Sequence, residues 1–341
     1  MKAVLFRSHG GPEVLEHADV PEPVPGPGEL LIRVKACALN HLDIWIRQGI
    51  PAYRITLPHI SGCDVSGLVE RAGGSSSLTP GQRVVLAPQL SCGRCDACRR
   101  GDDPMCPSFG IRGAAVPGGY AELTLAKESE AFPIPDALPF EEAAAFPLVF
   151  LTAWHMLVGR AKLQAGERVL IHGAGSGVGH AAVQIAKHLK AVVYATVGQD
   201  DKIAKATALG ADEVINYRHA SFEERVKALT DGRGVEVVLD HIGPEVWEGS
   251  IRSLAKGGRL VTCGATSGPA APLDLRYLYS RQLTLLGSMM GGAAEFRAVA
   301  ELVNRRVLRP VIDRVFPLAQ ARQAQEHMLS RRFFGKIVLA A

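Results

Sequence analysis

No stretch of this 341-residue sequence is apolar for long enough to cross a bilayer. The longest such run, Ala143 to Val158 (AAAFPLVFLTAWHMLV), falls short of the ~20 residues a spanning helix needs. It also contains Pro147 and His155, so a buried helix, kinked or split at the proline, is expected instead of a membrane segment. Excess charge of one sign is equally scarce: the formal charge is only +4. The basic residues are scattered, with no aromatic-interleaved patch, which argues against nucleic acid as a partner. The N-terminus, MKAVLFRSHGG, lacks the apolar core and small-residue cleavage site of a signal peptide. A disulfide framework is missing too. The cysteines number seven, an odd count, and four are crowded into one short loop, which fits a reducing cytoplasm.

What is present has the profile of a soluble globular protein, 47% hydrophobic and 21% charged, and long enough for two domains. The first third alternates short β-branched runs with Gly and Pro turns: AVLF, then VPEPVPGPGE, then LLIRVKACAL, GLVERAGG and PGQRVVLAP. This reads as a β-rich, barrel-like domain. From about Pro139 the rhythm changes to strands alternating with amphipathic helices. RVLIHG, AVVYATV, DEVINY, VEVVLDHIG, GRLVTCG and LTLLGS make six apolar strands, which predicts a parallel, doubly wound α/β sheet. The chain then runs through the helix AEFRAVAELVNRR to a final strand, GKIVLAA.

The crowded cysteines, Cys92, Cys95, Cys98 and Cys106, follow C-x2-C-x2-C-x7-C. Pairs two residues apart place their sulfurs on one side of a turn, and four thiolates complete a closed tetrahedral zinc site. A site filled by protein leaves no position for substrate, so one structural zinc per chain is expected in a lobe spanning about 91–107. An iron–sulfur cluster also accepts four thiolates but carries other spacings.

The segment RVLIHGAGSGVGHAAVQIAK reads strand, glycine turn, helix. Gly173, Ala174, Gly175, Ser176, Gly177, Val178 and Gly179 form a turn through which backbone can approach a pyrophosphate at a helix N-terminus. About twenty residues on, an NAD-preferring fold carries an acid for the ribose hydroxyls, and here Val197 stands at that count. Gly198 and Gln199 leave room there, while Lys202 with Tyr217 or Arg218 can meet a 2′-phosphate. NADP(H) is therefore expected over NAD(H). Against this, Asp200 or Asp201 can also reach toward a ribose.

Together, the β-rich N-terminal part, the cysteine lobe and the later dinucleotide fold resemble the medium-chain dehydrogenase/reductase superfamily. The landmarks GGPEVLE, GCDVSGLVE, PGQRVV, GSGVG and GKIVL carry the likeness over essentially the whole chain. The resemblance implies a GroES-like catalytic domain from residues 1–149 and 290–341 and a Rossmann domain from 150–289. It also implies a homodimer or homotetramer, commonly paired through the last coenzyme-domain strand, here around LTLLGS. Zinc alcohol dehydrogenases of this superfamily hold a catalytic zinc through Cys, His and Cys. The matching positions here are Asn40, Cys63 (followed by Asp64) and Leu148, and Trp45 falls where a proton-relay His often sits. The metal-free quinone oxidoreductase and enoyl reductase branches carry N-x-x-D at the first position, as Asn40 and Asp43 do here, but usually lack the cysteine lobe.

The resemblance thus implies hydride transfer between a nicotinamide and a carbonyl or activated alkene of a small-molecule substrate, such as a quinone, enone, enoyl, aldehyde or alcohol. Without a metal, Asn40 and His41 are the candidate donors to the substrate oxygen, with Asp43 orienting His41 or another donor. Thr152, the segment Cys263, Gly264 and Ala265, and the pair Ser288 and Met289 match positions along the nicotinamide. Two alternatives stand beside this reading. One is a non-standard catalytic metal site drawing on Cys63, Asp64 and His59 with Cys37, His41 and Asp43. The other is a non-catalytic NADPH-binding or redox-sensing protein.

Overall fold

In a computed structural model that describes every residue except Ala52, the chain divides into two compact units, Met1–Leu148 with Gly291–Ala341, and Val149–Met290. The first unit is organised by β1 (Glu29–Ala38), whose apolar run Leu30–Ile32 and small residues Ala36 and Ala38 let other elements pack on both faces. It is followed by helix α1 (His41–Gln48), then β2 (Asp64–Ala72), β3 (Arg83–Leu86), β4 (Leu123–Lys127) and β5 (Ala131–Pro133). The second unit contributes β6 (Arg168–Ile171), helix α2 (Gly177–His188), β7 (Val192–Val197), β8 (Glu213–Asn216), β9 (Val235–Asp240), β10 (Leu254–Thr262) and β11 (Thr284–Gly287). The chain re-enters the first unit with helix α3 (Ala293–Asn304), β12 (Ile312–Pro317) and β13 (Lys336–Ala340).

The expected six strands form one parallel sheet, in the order β8-β7-β6-β9-β10-β11. Order reverses between β6 and β9, the place where open α/β sheets bind ligands beyond the carboxyl ends of their strands. In the first unit the order is β12-β13-β1-β2-β3-β5, with β4 also pairing β1. Its core gathers Val4, Leu30, Ile32, Val34, Val65, Val84, Leu86 and Leu339. The C-terminal strand β13 runs antiparallel to β1, with Val338 opposite Ala38, and so lays the chain's last residues beside the start of α1.

The apolar run around Pro147 resolves as expected from a proline. One helix covers Phe140–Ala144, and a second, Pro147–Trp154, starts with the proline at its first position, where its missing N–H costs nothing. It continues as a π-helical turn, His155–Arg160, a form often found at functional positions. No helix among the described residues is long and apolar enough to cross a membrane.

Candidate active site and metal lobe

In the first unit the strand ends that face α1 bring together residues far apart in sequence. Asn40 is the residue before α1, and Cys63 and Asp64 open β2. The Asn40 amide donates through Nδ2 to Asp64 Oδ2 at 2.8 Å and to Cys63 Sγ at 3.2 Å. Leu148 gives its backbone N–H to Asp64 Oδ1 at 2.8 Å. The three positions matched to zinc ligands thus do converge, but on a carboxylate.

Sequence patterning gives no sign of the residue that completes this cluster. Lys336, the first residue of β13 and only 2% exposed, donates from Nζ to Asn40 Oδ1 at 2.7 Å and to Asp64 Oδ2 at 3.0 Å. A buried lysine is rare unless paired, and nothing local in GKIVL signals one. The ammonium also fixes which way the Asn40 amide points: its oxygen faces the cation, and its nitrogen faces Asp64 and Cys63. This corrects the expectation for Asn40. Both amide hydrogens are spent on partners inside the cluster, not offered to a substrate oxygen.

Asp43, one turn into α1, is likewise committed. Its carboxylate accepts from Asn40 N at 2.8 Å, from Gly62 N at 3.1 Å and from the Tyr120 hydroxyl at 3.2 Å. It ties the start of α1 to the segment before β2 and holds the backbone of Asn40, one of the candidate donors. Gly62 is needed there: at φ +101° a side-chain carbon would come within 2.5 Å of the Tyr120 ring. His41 and Trp45 lie half-buried on α1 with ring centroids 6.2 Å apart. His59 is directed elsewhere, with Nε2 2.8 Å from Gly113 O and its ring edge-on to Phe6.

Burial sets the protonation of this site. It pushes the Asp43 carboxyl up to about 6, against the lowering effect of the Asn40 N–H and of Lys336. It also drives the Cys63 thiol well above the usual range, assisted by the Asp64 charge, so Cys63 stays a neutral thiol. The Asp43 shift predicts a stability effect. A carboxyl whose pKa is raised on folding holds its proton more tightly in the native state. Its contribution is therefore fully favourable below about pH 4 and is lost as pH rises to about 6. Between those limits the stability difference between wild type and Asp43→Asn is expected to change by about 3 kcal/mol, as the wild type alone loses stability there. Urea titrations at pH 4 and pH 7 measure it, and a pH-independent difference contradicts the assignment.

The cysteine lobe is assembled as its spacing predicts. The sulfurs of Cys92, Cys95, Cys98 and Cys106 all lie within 4.8 Å of one another, with Cys92–Cys98 at 3.9 Å and Cys95–Cys98 at 3.5 Å. Zinc–sulfur bonds of ~2.3 Å in a tetrahedron separate sulfurs by about 3.8 Å, so the donor set fits a closed zinc–tetrathiolate site. Backbone N–H groups of Arg94 and Cys95 pull the Cys92 thiol down to about 6, toward the thiolate that a metal requires. Among the described residues these four form the only such group of three or more His, Cys, Asp or Glu side chains. Among the described residues, no third His, Cys, Asp or Glu side chain joins Cys63 and Asp64 in such a group. The lobe also reaches beyond itself. Asp103 Oδ2 accepts from Ala293 N at 2.6 Å, capping α3, whose own cap residue, Gly292, has no side chain to do so.

In the second unit the expected cofactor residues gather at the carboxyl ends of the strands. Gly173, at φ +59°, turns the chain from β6, and Ser176 caps α2 by accepting from Gly179 N at 2.8 Å. Helix geometry leaves the N–H groups of Gly177 and Val178 without a carbonyl inside α2, directed outward for an anion. Ala174 is buried, its N–H held by Thr196 O at 2.9 Å. Two histidines outside the glycine motif support this turn: His241 Nε2 lies 3.1 Å from Ser176 Oγ and 2.9 Å from His172 O. Burial holds both rings neutral, His172 down to about 3. Both follow apolar strands, so periodicity alone reads them as core.

Val197, the last residue of β7, is buried, and beyond it Gly198 abuts Tyr217, whose hydroxyl would lie 2.4 Å from an added side-chain carbon. Asp200 is engaged by Asn216 Nδ2 at 2.6 Å and faces His219 at 3.4 Å. Lys202 ends the short turn Asp200–Lys202. Cys263, Gly264 and Ala265 follow β10, and Ser288 and Met289 follow β11, with Ser288 N bonded to Thr262 O at 2.8 Å. Burial pushes the Cys263 thiol up to about 12. Thr152 is buried with its hydroxyl 3.8 Å from Met290 Sδ.

A parallel sheet in this order with a glycine turn at its switch point, joined in one chain to a β-rich unit with a four-cysteine lobe, defines a two-domain dinucleotide-dependent oxidoreductase. Family comparison agrees: residues 26–136 match an alcohol dehydrogenase GroES-like domain, and residues 177–305 match a zinc-binding dehydrogenase domain. The chain belongs to the medium-chain dehydrogenase/reductase superfamily and is an NAD(P)H-dependent oxidoreductase. A quinone oxidoreductase of Pseudomonas aeruginosa is 34% identical over 99% of both chains. The crystal structure of an NAD-dependent alcohol dehydrogenase superposes with a TM-score of 0.96 at 44% identity, covering 100% of both chains. A cobalt- and zinc-bound thermostable alcohol dehydrogenase from Pyrobaculum aerophilum gives a TM-score of 0.91 at 35% identity, covering 100% of this chain and 99% of its own.

Proposed function

We propose that this enzyme moves a hydride between NADP(H) and a carbonyl or activated alkene carbon without a catalytic metal, its single zinc being the structural one in the cysteine lobe. The observation that carries the reading is the cluster at the matched ligand positions. It offers an amide, a neutral thiol and a backbone N–H around a carboxylate already neutralised by Lys336. The nicotinamide, when bound, supplies the hydride chemistry. The chain's part is to hold the pyrophosphate on the turn from Gly173 to Gly179 and to polarise the substrate oxygen. With Asn40 committed to Asp64, the donor to that oxygen is assigned to His41, at the first turn of α1. Quinones and enones are favoured substrates, in line with the name of the Pseudomonas relative. The alcohol dehydrogenase reading instead predicts aldehyde turnover that depends on a second metal. An NADPH-oxidation panel of quinones, enones and aldehydes, run on enzyme of measured zinc content, separates them. Activity with one zinc per chain supports the proposal, and activity that requires two overturns it. Inactivity across the whole panel favours the non-catalytic alternative.

The preference for NADP(H) is supported by the neighbourhood of Gly198. No acid ends β7, Asp200 is held by Asn216, and Lys202 and Tyr217 are the groups assigned to a 2′-phosphate. The structural relative named NAD-dependent carries the opposite expectation. Lys202→Ala is expected to raise KM for NADPH about tenfold, the loss of one charge-assisted phosphate contact, and to leave KM for NADH unchanged. An equal effect on both cofactors rejects the contact.

We also infer a homodimer or homotetramer formed through β11, which ends its sheet with its residues at least partly exposed, and a cytoplasmic location, in keeping with seven cysteines of which none is paired in a disulfide. Size-exclusion chromatography with light scattering tests the assembly.

A further inference from the structure

We propose that His241 is a positioning residue of the cofactor site: its ring N–H fills an acceptor position of Ser176 and so turns the Ser176 hydroxyl hydrogen outward, as a donor to the cofactor pyrophosphate. The inference rests on the reading above that the turn from Gly173 to Gly179 holds that group, and it adds a side-chain contact to the backbone ones.

The hydrogens around the turn can be placed one by one. A carbonyl only accepts, so His241 Nε2, 2.9 Å from His172 O, carries the ring proton. The same nitrogen lies 3.1 Å from Ser176 Oγ, so its single N–H is shared between the two oxygens and Ser176 is an acceptor. Ser176 Oγ accepts a second N–H, from Gly179 at 2.8 Å. A hydroxyl has two acceptor positions and one hydrogen. With both positions facing N–H groups, the hydrogen is directed away from them, and among the described residues no acceptor receives it.

The ring is held where this sharing requires it. Gly173 brings the turn so close that an added side-chain carbon would lie 3.2 Å from His241 Cε1 and 3.3 Å from its Nε2. The Thr266 hydroxyl donates to His241 O at 3.0 Å, fixing the backbone that carries the ring. The neighbouring His172 is spent elsewhere. In the helix Pro244–Ser253 the Ser250 hydroxyl donates to Val246 O at 2.6 Å, so His172 Nε2 donates to Ser250 Oγ at 2.8 Å. Its Nδ1 then accepts from Thr196 Oγ1 at 3.3 Å, and Thr196 accepts from Gly173 N at 3.0 Å. Ala174 N and Ser176 N are bonded to Thr196 O at 2.9 Å and Gly173 O at 2.8 Å. Ser176 is the only polar side chain between Gly173 and Gly179, and its hydroxyl keeps a hydrogen to give.

A hydroxyl aimed at a phosphate oxygen makes a charge-assisted hydrogen bond, and one oriented before the ligand arrives gives up little rotational freedom on binding. Without the His241 N–H, one acceptor position of Ser176 is empty, the hydroxyl rotates, and that advantage is lost.

The test titrates the full-length enzyme with NADPH and with NADH, read by nicotinamide fluorescence. The proteins are wild type, Ser176→Gly, His241→Leu, His241→Gln and the double variant Ser176→Gly/His241→Leu. Glycine removes the hydroxyl yet remains acceptable as a helix cap. Ser176→Gly is expected to weaken both cofactors about tenfold, because the pyrophosphate is common to them. His241→Leu is expected to weaken both about fivefold. His241→Gln, whose amide N–H can replace that of the ring, should bind within about twofold of wild type, and in the Ser176→Gly background His241→Leu should cost less than about twofold more. A merely structural histidine gives the same full loss in both backgrounds, and that result overturns the inference. So does a His241→Gln as weak as His241→Leu, or a Ser176→Gly that binds both cofactors as wild type does. Gly179→Val, run alongside, tests the underlying reading: if it also leaves the affinities unchanged, the turn does not hold the pyrophosphate and the reading falls with the inference. Should His241→Leu fail to fold, His241→Met, equally without a donor, takes its place in the same cycle and is judged by the same outcomes.

Discussion

Cys98→Ser is expected to lower the thermal midpoint by more than about 10 °C and to release the lobe zinc. Structural tetrathiolate zinc contributes apparent binding energies of about 10–16 kcal/mol in small isolated domains. Only part of that is at stake here, because the lobe is anchored in a larger fold. The part that matters runs through Asp103. Its two oxygens accept from Ser91 Oγ at 3.1 Å and from Ala293 N at 2.6 Å, so it joins the entrance of the lobe to the first turn of α3. The lobe is otherwise loop, with one four-residue helix at Asp96–Arg99 and a three-residue turn at Asp103–Met105. Metal loss leaves four clustered sulfurs with nothing to hold them together, Asp103 is freed, and α3 loses its cap. Asp103→Ala isolates that second effect and is expected to cost about 1 kcal/mol, as other lost helix caps do, with zinc retained. The ordering decides the matter. If Cys98→Ser is no more destabilising than Asp103→Ala, the zinc does not organise the lobe. Calorimetry together with zinc quantitation measures both.

The parts of this molecule legible in its sequence are those whose signal is local. The four cysteines declare a metal by spacing, the glycine turn declares a dinucleotide by its place between β6 and α2, and Pro147 declares a helix start. The positions matched to ligands, Asn40, Cys63 and Leu148, do meet in space. What they meet around is hidden, because the deciding side chain lies 296 residues further along the chain from Asn40. A lysine in a strand ordinarily reads as solvated, and only the pairing of β13 with β1 buries this one. The same holds for Tyr120, whose hydroxyl completes the shell of Asp43 from 77 residues away. For Asn40 and Asp43 the residue type marks the site without revealing the role, since a polar side chain's role depends on what its second partner is. Burial requires their donors and acceptors to find partners, and here those partners lie within the cluster.

Gly179→Val is expected to abolish cofactor binding while leaving the first unit folded. The residue sits in the first turn of α2, and a side-chain carbon there would lie 2.1 Å from Gly173 O, 2.7 Å from Gly173 C and 2.9 Å from Ala174 Cα. All three are backbone atoms, so no rotamer relieves the clash. The helix must move off the turn by about an ångström or more to restore ordinary contact. That displacement breaks the cap in which Gly179 N donates to Ser176 Oγ and re-aims the N–H groups of Gly177 and Val178, the groups proposed to hold the pyrophosphate. Misplacement on this scale costs about a hundredfold in function, and overpacking against fixed backbone adds about 1–3 kcal/mol of destabilisation. Gly179→Ala introduces the same first carbon and should lose most of the same affinity. Gly74→Ala, where an added carbon meets nothing within 4 Å, is the control and should bind NADPH as wild type does. Fluorescence titration with NADPH reads the affinity, and thermal melting separates lost binding from lost fold. If Gly179→Val binds NADPH within about threefold of wild type, the close approach of α2 to the turn does not build the site, and the pyrophosphate must be held by other groups at the β6–β9 switch point.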